Sequence, residues 1–253
     1  MADPSPHEHA PPGGIQPSHH DTTMSTGEGA PASQGLSKAR IEALTDGIFA
    51  VAMTLLVLDI KVPVVQVAAE LPHRLLTLWP QCLSYLISFI MLGIYWVGQH
   101  NQFHLIRRTD RVLLWINILF MLVISFVPFS TALLSAYPRQ PVALMIYGAN
   151  LIVIGAILSW HWRYATRRHR LVDASLDPRI VRLAARRILI GPTLFLIAVG
   201  VALFSTTTSL IIYLLAPLVY ILPGKVDRHW SIWGASHQAD ASPASAAPRR
   251  PIR

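Results

Sequence analysis

The sequence predicts an all-α membrane protein with six transmembrane helices per subunit. Three observations carry that reading. The 253-residue chain is 53% apolar and only 13% charged, unlike an ordinary soluble domain. Six apolar runs of helical length alternate with short polar connections. The cations are also sorted. If all six runs cross, one side of the membrane carries all of the 21 Lys and Arg residues except Lys61, Arg74 and Arg139. Cytoplasmic segments are enriched in Lys and Arg, so both termini are expected in the cytoplasm. The net charge of +8 then reflects topology, and no nucleic-acid partner is expected.

Residues 1–37 are rich in Pro, Gly, Ser, Thr and His and hold almost no large apolar side chains. Such a segment cannot bury a core, so a disordered tail is expected. His7, His9, His19 and His20 are scattered along it, and a flexible tail does not fix a metal geometry. No metal and no other cofactor is expected.

The first span covers residues 40–61, framed by Arg40 and Lys61. At about 1.5 Å per residue it matches one bilayer thickness. Val51, Leu55, Leu58 and Val62 recur at helical spacing and share a face bordered by Thr54. Asp46 precedes Val51 by five residues, about 140° around the helix at about 100° per residue. An ionisable residue inside a span is a functional candidate by default. The stripe also reads as plain helix packing, and Asp46 as a hydrogen-bonded structural acid.

A short amphipathic segment over residues 66–78 leads to the second span, 79–98, bounded by Trp79, Tyr95 and Trp96. The polar, basic linker 99–111 follows. The third span, 112–134, contains Trp115, Asn117 and Pro128, and the proline predicts a kink. The fourth span is 142–162. A basic connection, 163–187, is expected to extend the neighbouring helices on either side of Asp177-Pro178. The fifth span is 188–205. The sixth, 210–222, is short at about 20 Å. Residues 224–253 read as a second disordered tail. Cys82, alone in an apolar run, is expected to be inert packing.

Enzyme signatures are missing: there is no HExxH, GxSxG or Walker lysine. Asp46 and Asp59 lie thirteen residues apart, about 20 Å along a helix, too far to share a substrate within a subunit. No enzymatic activity is expected. A TVGYG-like re-entrant filter loop is also missing. Any ion selectivity would therefore come from side chains on a helix.

The run Arg40-Ile-Glu-Ala-Leu44-Thr45-Asp46, continuing through Val51, Thr54, Leu55, Leu58 and Lys61 to Pro63, closely resembles the signature helix of the transmembrane protein 175 family of potassium channels. The family pattern places Phe-Ser before the aspartate; here Leu44 and Thr45 stand there. Tyr95-Trp96, His100-Asn101 and Trp115-x-Asn117 extend the resemblance over residues 38–222. It implies a homotetramer with the first helix of each subunit around a central, leak-like pore that passes K+ in preference to Na+. It further implies aliphatic rings at Val51, Leu55 and Leu58 as filter and gate, with Thr54 as the adjacent polar position. Val51 stands where the family more often has isoleucine, which implies a wider ring. Arg40, Thr45, Asp46, His100 and Asn101 would form a network that locks the helix, with Asp46 paired to Arg40, His100 or both. The expected partners are K+, membrane lipid and three further copies of the chain. Two other readings stand beside the channel: a secondary transporter with Asp46 as proton-coupling acid, and a non-conducting scaffold whose basic loops bind lipid.

Overall fold

The computed structural model describes residues 38–221, and both expected tails lie outside the described residues. The regular elements among the described residues are helices, apart from one isolated bridge. The elements are α1 (Lys38–Val57), α2 (Leu71–Leu76), α3 (Trp79–Leu105), α4 (Arg111–Ser125), α5 (Val127–Ala136), α6 (Pro141–Thr166), α7 (Pro178–Ala202) and α8 (Thr206–Ile221). Each expected span coincides with a helix or a helix pair. Among the described residues, four segments are long and apolar enough to cross a membrane: α3, the α4–α5 pair, α6 and α7. α8 is apolar but shorter, and α1 is not among the four.

The differences from expectation have local causes. α1 ends at Val57, so Leu58 lies in the following turn, its N–H on the Leu55 carbonyl at 3.2 Å. The third span is two helices. Pro128, the second residue of α5, lacks an N–H and its ring crowds the carbonyl four residues back; the chain breaks at Phe126. Pro192 does not break α7. Gly155 of α6 faces it, and a Cβ there would strike the proline ring. Cys82 is exposed rather than packed.

α6 is the hub: 61% of its apolar window is buried, against 39% or less for the other three. Its neighbours are held by hydroxyl and amide bonds inside an apolar core. Tyr95 on α3 donates to the Leu151 carbonyl at 2.7 Å, and Tyr213 on α8 donates to the Leu144 carbonyl at 3.0 Å. Ser88 links Tyr147 and Thr131, and Asn150 donates to Ser130 at 3.0 Å. Polar groups without water must bond to each other, so these pairs fix helix register.

A second apolar cluster lies at the basic end, built from Leu105, Ile106, Leu113, Trp162, Leu171 and Val172 among others. A single antiparallel bridge, Ile106 to Val172, ties the two basic connections together. Asp110 caps α4, accepting from the Leu113 N–H at 2.8 Å. The same carboxylate accepts from the Tyr164 hydroxyl at 2.6 Å and meets Arg170 at 3.2 Å. Burial raises its pKa, but these bonds and the Arg170 charge outweigh that and hold the carboxyl below its ordinary value.

Candidate functional site: the two faces of the first helix

α1 divides cleanly. Ile41, Thr45, Phe49, Ala52 and Leu56 are buried against the rest of the subunit. Their steps of four, four, three and four keep them on one face. Phe49 packs on Phe120 of α4 with ring centroids 5.9 Å apart. The opposite face is open. Val51 is 55% exposed, Leu55 44% and Leu58 69%, and Thr54 lies exposed among them. The Thr54 hydroxyl turns back to the Val51 carbonyl at 2.8 Å. Gly47 shares this side, and a Cβ there would meet nothing within 4 Å.

The buried face is locked by one polar chain. Thr45 donates to the Ile41 carbonyl at 2.8 Å and accepts from the Asn117 amide at 2.9 Å. Gln99 of α3 donates to Asn117 at 3.3 Å. Thr45, Asn117 and Gln99 are all at most 2% exposed. Three helices thus meet at one buried asparagine, whose oxygen and nitrogen are both used.

Asp46 sits on the flank between the two faces. Its carboxylate accepts from the Trp96 indole N–H at 2.8 Å. Its partner is therefore Trp96, not the expected Arg40 or His100. His100 joins indirectly, stacked on the Trp96 ring at 5.6 Å between centroids. Arg40 and Asn101 are exposed and make no side-chain hydrogen bond or ion pair with a described residue. Arg40 lies six residues before Asp46, about 240° around the helix, so the two point apart within one subunit.

Of the expected site residues, the fold brings Asp46 and His100 to the α1–α3 contact and Thr45 to Asn117 of α4. It leaves Val51, Thr54, Leu55, Leu58 and Arg40 on the open side. Sequence reasoning overlooked Trp96, Gln99 and Asn117 as the direct partners. The signal was available: polar side chains within apolar spans need bonding partners. Among the described residues, no three of His, Cys, Asp and Glu converge to hold a metal ion.

Comparison with known proteins gives this geometry a family. The model for the endosomal/lysosomal potassium channel TMEM175 matches residues 40–128, the stretch containing α1, the Trp96 contact and Asn117. A Streptomyces collinus protein named a potassium channel is 35% identical over 185 residues, covering 72% of this chain and 90% of the relative. The crystal structure of a lysosomal potassium-selective channel TMEM175 homolog from Chamaesiphon minutus superposes with a TM-score of 0.64 at 34% identity. That match covers 73% of this chain and 96% of the other. The human protein named endosomal/lysosomal proton channel TMEM175 is 25% identical over 218 residues, covering 84% of this chain and 41% of the human protein. The chain is an integral membrane protein and belongs to the TMEM175 channel family.

Proposed function

We propose that the chain forms a homotetrameric, leak-like channel that passes K+ in preference to Na+. Each subunit contributes six spans with both termini cytoplasmic, and α1 lines the shared axis. The observation that carries this reading is the open face of α1. A helix bonded into its own subunit on one side presents Val51, Thr54 and Leu55 on the other. Four such faces meeting on an axis make a narrow aliphatic pore. Apolar rings of this kind restrict ions by limiting the water that can accompany them. The Streptomyces and Chamaesiphon proteins, whose names give them as potassium channels, support the same assignment of cargo.

In this arrangement Asp46 is a positioning residue. Its carboxylate is directed at Trp96 on α3, off the line of the stripe. Holding α1 by its flank and its buried face fixes how far the Val51 and Leu55 side chains reach toward the axis. This geometry favours the channel over a transporter that uses Asp46 as its proton carrier.

The test is reversal potential across planar bilayers containing the purified full-length protein under opposed K+ and Na+ gradients. A potential displaced toward the K+ equilibrium value is expected. Val51→Asn and Leu55→Asn hydrate the ring and move it toward zero. Absence of current, saturable flux that depends on a coupled gradient, or unchanged preference in both variants would overturn the proposal. Proton permeation is read in the same chambers from a pH gradient, which addresses the activity named for the human relative.

A further inference from the structure

At the basic end of the bundle, α6 and α7 border a surface recess of about 200 Å³. Ser159 and Arg163 of α6 line one wall; Arg182, Ala185, Arg186 and Leu189 of α7 line the other. The spacing explains the convergence. Ser159 and Arg163 are one turn apart, and the four α7 residues fall at steps of three, one and three on one face.

Three features of the recess point to one kind of ligand. It gathers three arginines and no carboxylate. None of Arg163, Arg182 and Arg186 has an ion pair or a side-chain hydrogen bond with a described residue. Like charges this close are unfavourable unless an anion joins them. The recess also lies at a polarity boundary. Leu189 of its wall is 46% exposed, and Trp160 and Ile190, each next in sequence to a lining residue, are 51% and 44% exposed. These side chains are suited to acyl chains, whereas the guanidiniums a turn beyond are suited to headgroups. Finally, planar guanidinium groups bind phosphate oxygens in pairs, and three can share one phosphodiester.

We infer that this recess binds the phosphate of an anionic phospholipid, with the acyl chains running along the apolar surface at Leu189 and Ile190. The occupant is a membrane lipid because the recess opens where the exposed surface turns from apolar to basic. A soluble anion has no use for the apolar wall. The site sits on α6 and α7, away from α1, so it tethers the outer helices to the membrane independently of what the pore conducts.

Native mass spectrometry of the detergent-purified full-length protein tests this with dioleoyl phosphatidylglycerol and dioleoyl phosphatidylcholine as probes. The wild type is expected to retain phosphatidylglycerol at least about tenfold more tightly than phosphatidylcholine. Each basic residue near a lipid surface is worth about fivefold, so Arg163→Gln/Arg182→Gln/Arg186→Gln should lose about 100-fold. Arg107→Gln/Arg108→Gln/Arg179→Gln removes the same charge from exposed positions outside the recess and should lose less than about threefold. Equal losses in the two triple variants would mean diffuse attraction and overturn the inference. So would equal retention of the two lipids by the wild type, or displacement of phosphatidylglycerol by millimolar sodium phosphate, which would make this a soluble-anion site. If the recess triple does not fold, the single Arg163→Gln variant and the wild-type comparisons decide the matter.

Discussion

Replacing Thr45 by valine tests whether the Thr45–Asn117–Gln99 chain holds α1 in place. The change preserves shape and removes one hydroxyl. The Ile41 carbonyl keeps its helical backbone partner, so the loss falls on the Asn117 amide. That amide is 1% exposed and has no water to turn to. Orphaning a buried donor costs about 1–3 kcal/mol. Hydrogen bonds between membrane helices average about 0.6 kcal/mol and reach about 1.7. Because Asn117 is wholly enclosed and joins three helices, about 1.5 kcal/mol is expected, a fall in Tm of roughly 3–6 °C. Asn117→Leu and the double variant complete a cycle, read by far-UV circular dichroism in one detergent. The Gln99 amide loses its partner in both Asn117 backgrounds, so that cost cancels. The double variant should be about 1 kcal/mol more stable than the summed single changes imply. Additivity within about 0.3 kcal/mol would refute the idea that this pair locks α1.

Gly148→Ala should destabilise by about 1–3 kcal/mol, because the new methyl displaces the Tyr213 hydroxyl that bonds the Leu144 carbonyl. Gly200→Ala on α7 meets nothing within 4 Å and should be neutral or stabilising by up to about 1 kcal/mol; melting curves in detergent separate the two. Trp96→Phe keeps an aromatic ring, though a smaller one, and removes the indole donor to Asp46, so a loss of at least about 1 kcal/mol is expected in the same melts. The depressed pKa of Asp110 gives a pH signature. Its contribution is complete above the unfolded value near 4 and is lost as pH falls through the lower folded value. Wild type should therefore lose its margin over Asp110→Asn as pH falls below about 4, in melts recorded from neutral pH downward.

Much of the fold was legible because long apolar runs have one outcome in a membrane. The residues that ended them were equally plain. Pro128 broke the third span where a proline must. The seat of Pro192 could not be read locally, since its ring packs against Gly155, distant in sequence, where a Cβ would strike it. The early end of α1 was also hidden. Leu58 continues the apolar spacing perfectly, yet nothing local keeps the helix going into Asp59, Lys61 and Pro63. The stripe was visible from spacing alone, whereas the partners of Asp46 and Thr45 were not. Trp96 looked like an interfacial ring, and its indole N–H is used only because α3 passes α1 at that height. Charge suggested Arg40 for Asp46; geometry within one helix excluded it.

α1 is also poorly suited to lipid on its open side. It carries Lys38, Arg40, Glu42 and Asp46 within twenty residues, and it is not among the four segments apolar enough to cross on their own. Its exposed side mixes Arg40, Gly47 and Thr54 with Val51 and Leu55. Placing a cation and bare backbone against acyl chains is costly, and bundle interiors are where such residues are found. The helix therefore needs a protein or water environment on the side its own subunit leaves open. A second copy of the same face is the simplest one, and rotational repetition supplies it to every subunit at once. If cysteines placed at Thr54, in a variant in which Cys82 is replaced by serine, form no cross-links between subunits under mild oxidation while the protein stays folded, that environment is something else. The pore would then have to be sought on another helix.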